Sequence, residues 1–225
     1  MKKIMFNDKY GLTQAVLEGR KTMTRRIMPY PIEIDWNRRG RVTLPISGLR
    51  HGLLYMDCRE ILHESKPYDN IAPHKYQPTY EIGEVVAVAQ RYQDIPMDYL
   101  LKHRTADGTS DWIFERLVRH SHGWTNKQGV IASLMPNRIK ITNIKMERLQ
   151  DITDEDCLRE GIRKFYVDPV CNGYTFDGWT NNKKDVWCHS PQNAFHALID
   201  KVGKTGTWAD NPWVYVYDFE LIETR

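Results

Sequence analysis

The pattern of hydrophobic and polar positions changes period several times along the chain, which predicts short helices and strands in alternation. Apolar side chains within residues 10–18 recur at helical spacing, and Gly19 follows where a helix commonly ends in the left-handed conformation. Residues 85–89 form a short apolar run that comes after a glycine turn. This run is too short for a buried helix and contains β-branched residues, so it predicts a central strand.

The second half of the chain begins with another strand pattern. Isoleucines alternate within residues 138–146, and the alternation slips by one position near residues 142–143, which predicts a β-bulge. Thr153 then offers an N-cap, acidic residues fill the next turn, and Gly161 follows. A short helix over residues 153–160 is therefore expected.

Two further elements are predicted near the end of the sequence. Ser190 and Pro191 are typical of a helix start, and Gly203 marks the expected end of that helix. In residues 213–221 aromatic and aliphatic side chains occupy every second position, and the positions between them become acidic towards the end of the segment. That pattern predicts a strand covered on one side, and the mixture of elements indicates the α+β class.

Three stretches between these elements show no sustained hydrophobic period. They cover about residues 31–79, 93–135 and 164–190. We interpret them as loop insertions into a single domain that spans the whole chain. A short strand is expected at residues 41–44 inside the first insertion, and a helix near residues 96–103 inside the second.

Composition and charge narrow the range of partners. The chain has 225 residues and a formal net charge of +3, which allows a core of ordinary size but produces no strongly basic field. Cations are concentrated locally, since seven Lys and Arg residues but only two acids lie between Arg20 and Arg41. A polyanionic partner would therefore have to bind that local patch.

Several common signals are missing from the sequence. No run approaches the roughly 18 consecutive apolar residues of a membrane span, and the four cysteines fit no disulfide framework, so we expect a cytoplasmic protein without membrane contact. Common nucleotide-binding, metalloprotease and serine-hydrolase motifs are absent. We expect neither a metal nor a cofactor, because the candidate ligands lack paired spacing. These candidates are His120, His122, Cys171, Cys188 and His189.

The segment with the most candidate chemistry covers residues 19–26, Gly-Arg-Lys-Thr-Met-Thr-Arg-Arg. If residues 21–24 turn, Lys21 and Thr24 lie side by side, whereas a straight strand would direct them to opposite faces. A lysine desolvated by apolar neighbours loses its proton more readily and can accept the proton of a threonine hydroxyl. The spacing alone fits equally a solvated rim of cations after a helix.

The order of these elements resembles the ASCH family, whose domains are related to the PUA RNA-binding fold. The most specific part of the resemblance is a GxKxxTxR pattern, formed here by Gly19, Lys21, Thr24 and Arg26, with Arg25 as an additional cation. Small members of the family have no counterpart of the three insertions. The resemblance covers about half of the chain, at residues 4–28, 80–92, 136–163 and 192–222.

The resemblance implies both a fold and a site. The fold would be a PUA-like, mostly antiparallel β-barrel with short flanking helices and a cleft lined by the motif. Some compact bacterial members hydrolyse the acetyl amide of acetylcytidine with a lysine, a threonine and a glutamate, which correspond to Lys21, Thr24 and Glu160 here. Glu160 would then orient Lys21 or serve as an acid. The insertions and the added Arg25 suggest a polyanionic or nucleotide ligand more than a free nucleoside.

Three functions stay open at this point. The leading one is recognition of RNA, or of a modified base or nucleotide, through the basic cleft. The second is an amidohydrolase that removes an acyl group from the exocyclic amine of cytidine-type bases, and the third is a protein-interaction module, as in long phage- or prophage-encoded members. Cations next to aromatic side chains are typical of sites that bind single-stranded nucleic acid, because the cations neutralise phosphates and the aromatic rings stack on bases. The candidate ligand-binding residues are Arg20, Arg25, Arg26, Trp36, Arg38 and Arg39.

Overall fold

The computed structural model of the chain describes residues 1–28, 33–35, 41–43, 46–50, 53–56, 78–104, 108–168, 171–181 and 184–222. Its helices are α1 (Leu12–Leu17), α2 (Met97–His103), α3 (Asp111–His120), α4 (Asp154–Arg159), α5 (Pro191–Val202) and α6 (Thr207–Asp210). Its strands are β1 (Lys3–Ile4), β2 (Met23–Ile27), β3 (Glu33–Asp35), β4 (Arg41–Thr43), β5 (Ile46–Arg50), β6 (Leu53–Met56), β7 (Val85–Val88), β8 (Arg138–Arg148), β9 (Arg163–Asp168), β10 (Cys171–Thr175), β11 (Thr180–Asn181), β12 (Lys184–Asp185) and β13 (Trp213–Ile222).

Five strands form the main sheet, in the order β1-β7-β8-β13-β2. β1 runs parallel to β7 and the other neighbouring pairs are antiparallel, so the sheet is mixed. With its short helices the protein belongs to the α+β class, as predicted. In the described ranges the edge strands β1 and β2 are not paired with each other, and no closed barrel is detected.

The longest ladder joins β8 to β13 and contains the predicted bulge. Asn143 pairs with Asp218 while Ile141 pairs with Phe219, so Thr142 is the extra residue. The bulge shifts β8 by one position, and the isoleucines on both sides of it are buried in the same core.

β13 is buried on both faces in its first half, contrary to the prediction of one covered face. Val214 and Val216 lie on one face and Tyr215 and Tyr217 on the other, and none of them is more than 3% exposed. Tyr80 packs against Tyr217 with the ring centroids 5.3 Å apart. Both the aromatic and the aliphatic side chains in this half of β13 are therefore covered by other parts of the protein, and neither face of the strand is exposed to solvent.

Two hydrophobic cores share β7. Val86 and Val88 belong to the main core with α1, α4 and α5, whereas Ala87 and Ala89 belong to a second core within residues 87–135. Alternation along one strand divides its side chains between the two cores. The helix expected in the second insertion is present as α2, and α3 was not predicted.

The first and third insertions also contain strands. β3 pairs with β4 and β5 with β6, in agreement with a short strand at residues 41–44, and the rest of the first insertion lies outside the described residues. In the third insertion β9 and β10 form a hairpin, so the prediction of a loop was wrong. A Cβ on Gly173 would come within 2.5 Å of the Phe165 ring, so this glycine gives the aromatic ring room to cover the hairpin. Across the parts of the chain given above, no helix has the length and apolar character needed to span a bilayer.

Candidate functional site

Lys21 is placed by the chain reversal that follows α1. Gly19 has φ +71°, the left-handed conformation predicted for it. The backbone N–H of Lys21 donates to the carbonyl of Ala15 at 2.9 Å, and that of Thr22 donates to Arg159 at 3.0 Å. The turn covers residues 18–19 and β2 begins at Met23, so Lys21 lies in the short connection that leads into the strand.

Glu160 is placed by α4. The side chain of Thr153 accepts from the backbone N–H of Asp156 at 3.1 Å, as expected for the predicted N-cap. Glu160 is the residue directly after the helix, and Gly161 has φ +107°. A Cβ on Gly161 would lie 3.8 Å from the Cβ of Lys21, so the glycine allows α4 to end close to the connection before β2.

These two elements join side chains separated by 139 positions. The Nζ of Lys21 donates to Oε2 of Glu160 at 2.5 Å and to the Glu160 carbonyl at 2.8 Å. The two side chains are only 2% and 6% exposed. Burial lowers the pKa of Lys21 below its ordinary value, although the Glu160 carboxylate opposes that shift, and Arg26 and Arg25 lower the pKa further.

Arg25 is buried beside this pair. Its side chain is 1% exposed, and its guanidinium lies 2.5 Å from Glu147, 2.8 Å from Asp156 and 3.1 Å from Glu160. Burial alone lowers the pKa of Arg25, but the three carboxylates raise it overall. The interpretation of Arg25 as a ligand-binding cation therefore does not fit this geometry, because its donors already face protein carboxylates.

Further charged side chains surround Arg25, and we call the whole set the charged network. Lys145 lies 2.9 Å from Glu147 and 3.3 Å from Asp156. Arg159 adds an ion pair with Asp218 at 2.5 Å. The network contains the cations Lys21, Arg25, Lys145 and Arg159 and the acids Glu147, Asp156, Glu160 and Asp218. Equal numbers of cations and acids leave it neutral overall while Lys21 is protonated.

Thr24 lies in β2 opposite Tyr217 and is 4% exposed. Along the strand it shares a face with Arg26, while Arg25 points to the opposite face. Within the described part of the chain, the Thr24 hydroxyl makes no hydrogen bond to Lys21, to Glu160 or to any other group. The structure thus brings Lys21 and Glu160 together but does not link Thr24 to either of them.

Arg26 is the exposed cation of this segment. Its Nη2 donates to the carbonyl of Met5 at 2.7 Å, and its Cζ lies 5.7 Å from the centre of the Phe6 ring. The Nζ of Lys21 lies 5.8 Å from the centre of the same ring. Phe6, which is itself buried in the main core, therefore forms an aromatic wall next to both Lys21 and Arg26.

The other proposed ligand-binding residues lie elsewhere. Arg20 forms surface ion pairs with Glu18 at 2.6 Å and with Asp177 at 3.6 Å. Trp36, Arg38 and Arg39 lie outside the described residues. Their part in a nucleic-acid surface stays a prediction from the sequence.

Two tryptophans of the third insertion pack against other aromatic rings of the protein. Trp179 stacks on the buried Phe176 with ring centroids 4.7 Å apart, and Trp187 meets Phe165 edge to face. Of the residues considered as metal ligands, Cys171 and His189 lie close together, with Sγ 3.6 Å from Nδ1, but the ranges given above contain no group of three or more His, Cys, Asp or Glu side chains arranged to hold an ion.

The sequence-based prediction missed the acids that hold Arg25. Asp156 was interpreted only as a helix-start acid, and Glu147 lies just beyond the predicted end of its strand. It also missed Lys127, whose Nζ donates to the Phe6 carbonyl at 3.2 Å and to Thr13 Oγ1 at 2.6 Å. The run of three acids that ends at Asp156 was a weak indication of a charged site. Nothing in the local pattern around Lys127 indicates its distant partners.

The candidate site therefore consists of a buried lysine–glutamate pair, a threonine on the adjacent strand, an aromatic wall and one exposed arginine. No protein-family model matches the chain, and neither a curated protein nor a solved structure is significantly similar to it. The function has to be argued from the chemistry of these side chains and from the GxKxxTxR pattern.

Proposed function

We propose that the chain is an ASCH-like, PUA-related domain that recognises an acylated nucleobase or nucleoside and removes the acyl group from its exocyclic amine. The observation that carries the proposal is the buried contact between Lys21 and Glu160 at 2.5 Å. These are two of the three residues that the family resemblance associates with amide hydrolysis, and Thr24 is the third.

The surroundings of Lys21 suit a proton acceptor. A neutral amine has two N–H donors and one lone pair, and the two acceptors on Glu160 engage both donors. The lone pair then accepts the proton of Thr24 as the Thr24 oxygen attacks the acyl carbonyl. Lys21 returns that proton to the leaving amine, and water releases the acyl group from Thr24. A hydrogen bond between a nucleophile and its base, here from Thr24 to Lys21, often tightens only when substrate is bound.

The charge balance favours a small ligand over a polynucleotide. Lys21 and Arg25 are neutralised inside the charged network, and Arg20 is paired at the surface. Arg26 remains as the exposed cation of the segment, held by a backbone carbonyl. Within residues 19–26, which the structure describes, one exposed cation suits a nucleoside or a single phosphate group, whereas tight RNA binding uses several phosphate contacts. The geometry thus favours a smaller ligand than the sequence suggested.

Hydrolysis of acetylcytidine and a panel of other acylated cytosine nucleosides by the purified protein tests the proposal, with the free amine quantified by chromatography. We expect turnover by the wild type and a loss of about 100-fold or more in Lys21→Met and Thr24→Val. Thr22→Val is the matched control, because the Thr22 hydroxyl instead accepts from Arg159 at 3.2 Å. Circular dichroism checks the fold of each variant. A wild type that hydrolyses none of the panel contradicts the proposal.

Recognition of RNA is the second candidate, and the exposed Arg26 beside Phe6 favours it. Binding of a fluorescent single-stranded RNA should then weaken steeply with salt, because phosphate contacts release counterions. Arg26→Gln should weaken the binding and reduce its salt dependence. Turnover of acylated nucleosides without any such binding leaves the hydrolase as the better account.

A further inference from the structure

Arg25 occupies the unspecified position between Thr24 and Arg26 in the GxKxxTxR pattern. Its environment is unusual for a cation in a basic segment. It lies on the face of β2 opposite Thr24 and packs against Phe195, with Cζ 6.0 Å from the ring centre. Taking an arginine out of water costs several kcal/mol unless the geometry of its partners is excellent. The contacts of Arg25 therefore indicate what it does.

The two oxygens of the Glu160 carboxylate are divided between two cations. Oε2 accepts from Lys21 at 2.5 Å, and Oε1 accepts from Nη1 of Arg25 at 3.1 Å. With one oxygen held from each side, the plane of the carboxylate is fixed. Glu160 thus presents one particular oxygen to Lys21.

Arg25 is itself held by the other acids of the charged network. Its Nε and Nη2 donate to Oε1 of Glu147 at 3.0 Å and 2.5 Å, and Nη2 also donates to Asp156 at 2.8 Å. The planar guanidinium can make these contacts and reach Glu160 at once, whereas the ammonium of a lysine lacks this rigid fork. β8, α4 and β2 are joined through this one side chain.

We infer that Arg25 is a positioning residue that keeps the Glu160 carboxylate turned towards Lys21 and thereby controls how readily Lys21 exchanges its proton. Glu160, Arg25 and Arg26 are the charged groups that act on Lys21, and they come from α4 and β2. Loss of Arg25 removes a cation close to Lys21 and leaves Glu147 and Asp156 in excess. Those two changes favour the protonated amine, but a Glu160 carboxylate that turns away from Lys21 withdraws a larger stabilisation of that form, so the positioning role predicts a lower Lys21 pKa without Arg25. The consequence for catalysis rests on the proposed hydrolase function, but the effect on Lys21 does not.

The test combines a titration without substrate and a kinetic measurement. The ¹³Cε signal of Lys21, assigned with the Lys21→Met variant, is followed by NMR against pH in the wild type, Arg25→Gln and Arg25→Lys. Lys140→Gln is the matched control, because it removes one cation from the same strand β8, and Lys140 forms an exposed ion pair with Glu220 outside the charged network. Values of kcat and KM for the acylated nucleoside are measured in parallel.

We expect both Arg25→Gln and Arg25→Lys to move the titration of Lys21 to lower pH, because neither side chain holds the Glu160 carboxylate against Lys21 as the guanidinium fork does. A shift to higher pH in Arg25→Gln alone would mean that Arg25 acts on Lys21 only through its charge, and would overturn the inference. Both variants should lower kcat, on the order of 100-fold for Arg25→Gln, with little change in KM, since the misplaced group acts on the chemical step. Lys140→Gln should leave the titration and kcat close to wild type.

Removal of Arg25 can also unfold the protein, because it leaves buried acids unpaired. The double variant Arg25→Gln/Glu147→Gln removes one cation and one acid together and serves as the second test. A Lys21 titration in both variants that matches wild type, in folded protein, overturns the inference. A titration shifted to lower pH in a protein that hydrolyses no acylated nucleoside refutes the proposed function and leaves the positioning role of Arg25 intact.

Discussion

At the residue scale, adjacent positions of the basic segment have very different environments. Arg25 is 1% exposed in its side chain and faces three carboxylates, while Arg26 is exposed and rests on an aromatic ring and a backbone carbonyl. Buried ion pairs are often no more stabilising than apolar residues of the same size. Stability alone is therefore a poor explanation for a network of eight charges around Lys21 and Glu160.

The stability of the charged network should depend on Asp156 and on pH. Burial raises the pKa of Asp156, but the hydrogen bonds and charges of Arg25 and Lys145 lower it overall, below its ordinary 3.8. The stability contributed by this carboxylate is thus fully present above pH 3.8 and is lost as the pH falls through the lowered value. We expect Asp156→Asn to reduce the free energy of unfolding by about 3 kcal/mol at pH 7 and by much less in strong acid.

Urea denaturation at both pH values measures this difference. Asp154→Asn is the matched control, since Asp154 lies in the same helical turn with its side chain exposed. An equal and pH-independent effect of the two substitutions would show that Asp156 has no special role in the network.

Part of the site could be predicted from single residues, and part could not. Lys21, Thr24 and Glu160 stand in recognisable contexts, namely a motif after a capped helix and the end of another short helix. The burial of Arg25 was not visible, because its main partner Glu147 comes from a strand 122 positions away. A local pattern records whether a residue is charged but not whether distant acids surround it.

At the element scale, the elements with clear end signals were predicted well. Thr153 and Ser190 cap their helices as expected, and the slip in the isoleucine pattern corresponds to the bulge in β8. The hairpin of β9 and β10 was missed because its glycine and asparagine residues suggested a loop. Gly173 is needed there to accommodate the ring of Phe165, a requirement that appears only when the two strands are paired.

Gly161 offers a test of how closely α4 must approach Lys21. It has φ +107°, and a Cβ there would lie 3.3 Å from the side chain of Leu12. Gly161→Ala is therefore expected to lose both backbone and packing energy. Gly19→Ala is the matched control, because Gly19 has φ +71° with nothing within 4 Å of the added Cβ, so only the backbone cost of about 1–2 kcal/mol applies.

Chemical denaturation of both glycine variants gives the comparison. Gly161→Ala should be clearly the less stable of the two and should also lower turnover, because the added methyl group displaces the connection that carries Lys21. Equal losses of stability with unchanged turnover would mean that the approach of α4 to this connection is not critical.

At the scale of the whole molecule, the second insertion is built into the structure that carries the site. β7 contributes alternate side chains to the two cores, and Lys127 reaches from the insertion to the carbonyl of Phe6 and to Thr13. Phe6 in turn lies against Lys21 and Arg26. Contacts of this length cannot be inferred from local periodicity, which explains why the segment was predicted as a loop insertion with a single helix.

We expect the two cores to unfold cooperatively. Leu100 is 0% exposed in the second core, and Leu100→Ala should reduce the free energy of unfolding by about 2–5 kcal/mol. Because β7 is shared, hydrogen exchange should accelerate in β13 as well as in residues 92–135. Leu117→Ala is the matched control, since Leu117 is 62% exposed in the same insertion and its loss should change neither region. Faster exchange confined to residues 92–135 in Leu100→Ala would instead show that the second core unfolds separately and that the site does not depend on it.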